Sequence, residues 1–277
     1  MLKRWIKGAA ISLTIAVAGS SAALAAGGGP DAQCPANEPA GGWSHSGMTG
    51  TFDKAALQRG FQVYKEVCAA CHGLRFIAFR NLTDIGFSAE QVKAIAKEYE
   101  YPTIDDDGEE AARTGLPSDY LPNPFPNKKA AAASNNGVAP PDLSLMAKAR
   151  VGGENYIYSL MMGYGAKDCV AEGSDLGHGK AYEQAKPGEG QYFNAYFPGK
   201  ILSMAPQIDD DQVEYVDGTK ATKDQIARDV AAFLMWTAEP KLEERKRMGM
   251  KVVIFLLITA ILLYGASRRI WARLDNE

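Results

Sequence analysis

Val67-Cys68-Ala69-Ala70-Cys71-His72 is the stretch on which the reading of this chain turns. On a helix Cys68 and Cys71 lie three residues apart and His72 lies four from Cys68, so all three project from one face. That placement suits covalent attachment of a c-type haem. Two thiols add across two vinyl groups on one porphyrin edge, and the neighbouring imidazole reaches the iron. Two other chemistries use paired cysteines. A redox dithiol normally follows a β-strand at a helix start, and no βαβ pattern surrounds Cys68. A zinc site needs a second Cys or His pair, which neither Cys34 nor Cys169 supplies. The histidine directly after Cys71 decides for haem, so the expected cofactor is one covalently bound haem c with its iron.

Outward from this motif, Asp53 caps a helix expected to run through Cys71, with Leu57, Phe61, Tyr64 and Cys68 on one stripe. Gly60 on that helix lets a second helix cross closely. A further helix is expected over 89–99. Residues 101–141 are dominated by Pro, Gly, Asn and acid and predict no regular element; a loop that long suits wrapping something large, such as a haem edge. Pro141-Asp142-Leu143-Ser144 opens a helix toward Arg150, and Asn155–Met162 forms a short one. Residues 163–190 read as loop, and 191–208 are rich in aromatics before a Met204-Ala205-Pro206 turn. The last soluble helix starts near Thr222, with Ile226, Val230, Phe233 and Leu234 on its apolar face and Trp236 near its end. No internal repeat is present and strand signals are few. The fold class is mainly α, a haem domain with long irregular loops.

The two ends differ from the middle. Residues 1–25 carry Lys3, Arg4 and Lys7, then an apolar Ala9–Ala18 run, then Ala23-Leu24-Ala25, the pattern of a secretory signal peptide cut after Ala25. Val252–Ser267 carries no charge, and Met248–Lys251 extend it to about 20 residues, enough to span a bilayer. Arg268, Arg269 and Arg273 follow, with Trp271 as an interfacial anchor. The expected organisation is a signal over 1–25, a haem domain over 26–240, a charged stem and transmembrane helix over 241–267, and a tail over 268–277. Export by the signal puts the haem domain in the periplasm of a bacterial inner membrane and the C-terminus in the cytoplasm. A helix-compatible, charged Lys241–Arg247 favours a stem of fixed geometry over a loose linker.

Of the 277 residues 46% are apolar, which excludes wholesale disorder. Between Gly27 and Pro240 there are 19 Lys and Arg against 29 Asp and Glu, a net charge near −10. That sign disfavours nucleic acid and suits a basic partner drawn in by long-range attraction. The acid concentrates in Asp105-Asp106-Asp107 with Glu109 and Glu110, and in Asp209-Asp210-Asp211 with Glu214 and Asp217. Such runs also serve simply to solvate loops. Cys34 and Cys169 remain after the haem pair; in an oxidising compartment they are able to form a disulfide, provided their Cα atoms approach within about 7 Å.

His72 supplies one axial ligand, and a six-coordinate iron needs a second. His45 and His178 lie in polar Gly/Ser loops, where a solvated surface histidine is the ordinary reading. Met146, Met161 and Met162 fall in helix-like segments and suit core packing. Met204 lies on an extended segment held by the following Ala205-Pro206, and is favoured. A neutral sulfur ligand stabilises ferrous iron and raises the potential.

With these residues in place, the chain resembles the cytochrome c1 family, the c-haem subunits of quinol–cytochrome c oxidoreductase (the cytochrome bc1 complex), over most of residues 43–250. The likeness is carried by Trp43-Ser44-His45, Arg59-Gly60-Phe61-Gln62-Val63-Tyr64 before the haem motif, and Asn135-Asn136-Gly137 before Pro140-Pro141-Asp142-Leu143-Ser144. It continues through Ala149-Arg150, Gly152-Gly153, Tyr192-Phe193-Asn194, Tyr196-Phe197-Pro198-Gly199, Met204-Ala205-Pro206, Ala238-Glu239-Pro240 and Arg245-Lys246-Arg247-Met248-Gly249. The resemblance implies a class I cytochrome c core in which the first and last soluble helices cross, with Gly60 and the Phe233/Trp236 face as the expected crossing. It implies Met204 as sixth ligand, Asn135, Arg150 and Tyr156 near the haem propionates, and the Pro140-Pro141 backbone supporting His72. It also implies electron transfer from a Rieske iron–sulfur protein to a soluble basic c-type cytochrome beside cytochrome b, with enzyme status belonging to the complex. Residues 163–190 vary within the family, so the Cys34–Cys169 pairing stays open. A free-standing tethered shuttle and an open-site haem enzyme such as a peroxidase are the alternatives; the latter wants distal acid/base residues and no Met ligand.

Overall fold

A computed structural model of the chain describes residues 34–164 and 186–272. The signal segment, Cys169 and His178 lie outside the described residues.

Helix α1 spans Lys54–Val63. Asp53 stays extended and its carboxylate accepts from the Ala55 and Ala56 N–H groups, donors that the helix itself leaves unpaired. The helix does not continue in α form to Cys71 as expected. Tyr64–Cys68 widen into one π turn, closed by Ala69 N–H donating to Tyr64 O at 2.8 Å. Such bulges occur often at functional sites.

The partner of α1 is α6, Lys223–Ala238, capped by Thr222, whose hydroxyl oxygen accepts from Gln225 N–H. Ile226, Ala227, Val230, Ala231, Phe233, Leu234 and Trp236 are all buried on it. The two helices meet at Gly60, where an added Cβ would lie 2.1 Å from Asp229 O and 2.6 Å from Phe233 Cβ. Only a glycine lets the backbones come this near. Phe61 and Tyr64 stack toward Phe233 at 5.8 and 6.0 Å, and Phe233 toward Trp236 at 5.7 Å. The expected crossing is therefore the centre of the core. Beside it the Arg59 guanidinium forks onto the buried Asp229 carboxylate, at 2.8 and 3.1 Å, and reaches Asp217 at 2.9 Å. Burial works against the Arg59 charge, but these carboxylates more than offset it and hold the group above its ordinary value.

Helix α2 covers Ala89–Ala96 behind a Ser88–Gln91 capping box and stops short of Tyr99, because the chain turns into a strand. Strands β1 (Glu100–Ile104) and β2 (Glu110–Thr114) pair antiparallel, Glu100 facing Thr114 and Ile104 facing Glu110. Helix α3, Lys128–Ser134, follows with Asn127 as its cap. Regular structure thus occupies part of 101–141, where none was expected. Half-buried Tyr101 and Thr103 alternate with exposed Glu100, Pro102 and Ile104, a strand period obscured by its proline and acids. The run Ala130–Ala133 has the best helix propensity available.

Helix α4 is a single turn, Met146–Ala149, shorter than the expected helix from Pro141. Asp142 and Ser144 bond across the chain to residues 75–76 instead of capping a long helix. Helix α5 spans Gly153–Met162, and strands β3 (Tyr192–Phe193) and β4 (Ile201–Leu202) form a minimal antiparallel pair. Cys34 is disulfide-bonded and packs with Phe193, Ala195 and Tyr196; Cys169, whose pairing with it the sequence leaves open, lies outside the described residues.

Helix α7, Leu242–Trp271, is long and apolar enough to cross a membrane, the one such helix among the described residues. Its first turns are fastened to the haem domain. Glu243 accepts from Phe52 N–H at 2.8 Å, Lys246 donates to the carbonyls of His45 and Gly50, and Glu239 pairs with both Lys148 and Arg245. The expectation of a fixed stem fits this joint. His45 corrects the reading of a solvated loop residue: it is 3% exposed, stacks on Phe52 at 4.6 Å and sits 3.3 Å from Glu154.

Candidate haem site

The thiols of Cys68 and Cys71 are free, and the turn between them is tight. The N–H groups of Cys71 and His72 both donate to Cys68 O, at 3.1 and 2.9 Å, which brings the motif's three side chains within one turn. Burial pushes the Cys68 thiol up to about 12. A redox dithiol needs a lowered thiol pKa to attack as thiolate, so this environment argues against disulfide exchange.

His72 is oriented from the opposite strand of chain. Its Nδ1 donates to Pro141 O at 2.7 Å, which fixes the tautomer and leaves the Nε2 lone pair for a metal. Burial holds the imidazole below its ordinary pKa, although the Pro141 bond and the Asp142 charge oppose that shift. The neutral form is the ligating form. The frame is continuous: Leu143 N–H donates to Gly73 O at 2.9 Å, Arg75 N–H to Asp142 at 3.0 Å, and Phe76 N–H to the Ser144 hydroxyl at 3.2 Å. The Tyr64 hydroxyl donates to His72 O at 3.0 Å. A cavity of about 420 Å³ borders this segment, between Arg75, Phe76, Pro140, Leu145 and Met146.

Met204 lies two residues beyond β4, off any helix, and its carbonyl accepts from the Tyr164 hydroxyl at 2.9 Å. The other candidate methionines, Met146, Met161 and Met162, are partly buried against the core, as packing residues are. Arg150 and Tyr156 come together: the exposed guanidinium engages the phenol, which burial pushes above its ordinary value while Arg150 opposes the rise. Asn135 ends α3, its side-chain amide donating to Ala131 O at 2.8 Å. Asn136 and Gly137 then take left-handed conformations, φ 50° and 82°, turning the chain toward Pro140. No hydrogen bond among the described residues joins Asn135 to the Arg150–Tyr156 pair.

Three supporting residues escaped the reading of the sequence. Tyr64 counted as part of an apolar stripe and of a family motif, Asp142 as a helix opener within another such motif, and Tyr164 as part of a loop; none was given a polar role at the site. Only the fold reveals what their polar atoms reach.

The donor set fits a c-type haem. Two free thiols share one turn with an imidazole whose second nitrogen is already spent on a carbonyl, and a thioether sits on a non-helical loop. No group of three or more His, Cys, Asp or Glu suited to a metal ion occurs among the described residues.

Comparison with known proteins agrees. A model of the cytochrome c1 family matches residues 43–274. The chain is 49% identical over 237 residues to cytochrome c1 of Rhodospirillum rubrum, covering 83% of this chain and 85% of that protein. It is 46% identical over 243 residues to a Bradyrhizobium diazoefficiens protein named cytochrome b/c1, covering 84% of this chain and 35% of that one. Identity is 44% over 240 residues with the Candida albicans cytochrome b-c1 complex catalytic subunit, mitochondrial, covering 86% of this chain and 79% of that protein. A family match from Trp43 through the stem helix, with identities of this order across most of its length, makes this chain a member of the cytochrome c1 family.

Proposed function

We propose that this member of the cytochrome c1 family is the membrane-anchored one-electron carrier of a quinol–cytochrome c oxidoreductase, taking an electron from a Rieske iron–sulfur protein and passing it to a soluble basic c-type cytochrome. The single observation that carries this reading is the His72 geometry, an imidazole oriented by Pro141 O one residue after two free thiols. When bound, the haem supplies reversible one-electron chemistry at iron. The chain's own residues hold it. Cys68 and Cys71 would give the two thioether links, and His72 Nε2 and the Met204 sulfur the axial ligands. Arg150, Tyr156 and Asn135 would hold the propionate carboxylates, because a carboxylate out of water needs charged or multiple hydrogen-bond partners.

The surroundings fit a subunit better than a roaming shuttle. Helix α7 is fastened to the haem domain by Glu243 and Lys246, so an anchored haem would keep a set position relative to the membrane. The names of two relatives, cytochrome b/c1 and cytochrome b-c1 complex catalytic subunit, support cytochrome b as neighbour. We place the haem domain in the periplasm of a bacterial inner membrane, after removal of residues 1–25, with lipid around α7 and a cytoplasmic C-terminus. The exposed Asp105–Asp107 turn would attract the basic acceptor. In the second acidic run two members also serve the fold: Asp210 accepts from Lys223 N–H at the start of α6, and Asp217 pairs with Arg59.

The test is affinity purification of the full chain from its own membranes. The expected preparation contains cytochrome b and a Rieske protein and reduces cytochrome c with quinol; Cys68→Ser with Cys71→Ser abolishes that activity and the covalent haem. A haem-loaded chain that purifies alone, with the quinol activity recovered elsewhere, contradicts the proposal.

A further inference from the structure

The segment that carries Met204 is held differently from the rest of the site. Among the described residues, the Tyr164 hydroxyl makes the one hydrogen bond that ties residues 204–207 to another part of the chain; the other bond there, Gln207 to Ala205 O, is internal. Tyr164 itself stands on a rigid base. Its backbone forms an antiparallel bridge with Asn194, which is fully buried. The Asn194 amide donates to Leu160 O on α5 at 2.7 Å, and its oxygen accepts from Tyr196 N–H at 3.0 Å. Between α5 and Tyr164, an added Cβ on Gly163 would lie 2.6 Å from the Tyr196 ring and 2.7 Å from Asn194 Oδ1, so that link has no slack. A phenol is therefore aimed at the Met204 carbonyl from a fixed platform, while the segment that it grips has no second outside hydrogen bond among the described residues.

We propose that Tyr164 is a positioning residue for the axial ligand: its hydroxyl, donating to the Met204 carbonyl, latches residues 204–207 shut and so fixes the reach of the Met204 sulfur toward the haem iron. The proposal rests on the reading of Met204 as sixth ligand. Local openings draw on the few interactions that close a loop, so removing one of them raises the open population without unfolding the domain. Loss of one hydrogen bond of ordinary net strength raises that population roughly threefold to tenfold.

The experiment uses the full haem-loaded chain, reduced, mixed with carbon monoxide, which binds iron only after Met204 has left. Tyr164→Phe is expected to speed binding roughly threefold to tenfold, with the parent's far-UV circular dichroism. Tyr158→Phe, on the preceding helix α5, is the control; its hydroxyl donates to Asp224 and not toward Met204, and its binding rate is expected to equal the parent's. Met204→Leu sets the fast limit. A Tyr164→Phe rate equal to the parent's, with Met204→Leu fast, overturns the latch and leaves the ligand reading standing. A parent already as fast as Met204→Leu overturns both.

Discussion

The two sides of the haem site are built to different stiffness. On the His72 side, residues 72–79 are bound to 119–121 and 141–144 by a row of hydrogen bonds: His72 to Pro141, Leu143 to Gly73, Arg75 to Asp142, Phe76 to Ser144, Leu121 to Ile77 and Phe79 to Asp119. On the Met204 side, one tyrosine hydroxyl reaches residues 204–207 among the described residues. Each bond contributes about 0.5–1.5 kcal/mol net, so the first frame resists local opening several times more strongly than the second. The difference suits the ligands. As proposed ligands, an imidazole beside two thioether links would have a fixed place, whereas a thioether on a loop would keep its place only while the loop stays closed.

Gly60→Val is expected to have the largest effect. The side chain would meet Asp229 O and Phe233, forcing α1 away from α6 and with it the π turn that carries Cys68. We expect about 3 kcal/mol of lost stability, measured by urea unfolding of the haem domain. A change under about 0.5 kcal/mol would show that the crossing does not support the His72 side. Asp142→Ala comes next. It strips the acceptor from Arg75 N–H and Ser144 N–H, at an expected cost of about 2 kcal/mol. Because the loss falls on the stiff side, carbon monoxide binding should stay at the parent's rate. Faster binding in this variant would erase the distinction between the two sides.

The smallest effect is acid dependence. Arg113, forked onto Asp119 at 2.6 and 2.7 Å, and then Leu116 N–H hold that carboxyl at about 2, below its ordinary 3.8. A depressed carboxyl contributes stability that is whole above its unfolded pKa and fades as pH falls through the folded value. Between pH 3.8 and about 2, amide exchange in β1–β2 and at Phe79 should therefore quicken, while residues 204–207, which no carboxylate holds among the described residues, should not follow. Parallel acceleration on both sides would contradict the contrast.

Local chemistry made much of this legible in the sequence. The Cys68/Cys71/His72 spacing, the Asp53 and Thr222 caps, the glycine at the crossing and the non-helical setting of Met204 all follow from residues close in the chain. What stayed hidden depends on distant partners. The burial of His45 needs Phe52, Glu154 and the α7 lysine together. The β1–β2 hairpin is masked by a proline and six acids, and the π turn leaves no mark in composition. Tyr164 illustrates the limit: its ring looks like any loop aromatic, and its role exists only through a carbonyl forty residues away.

The most direct measurement of the central claim, a His72/Met204 haem built for electron carriage, is carbon monoxide binding together with the haem potential in the loaded chain and in Met204→Leu. The account predicts a parent that binds carbon monoxide slowly at a clearly positive potential, and a variant that binds it readily with the potential sharply lowered. A parent that binds carbon monoxide at once, unchanged by the substitution, would mean that the iron is open or ligated elsewhere.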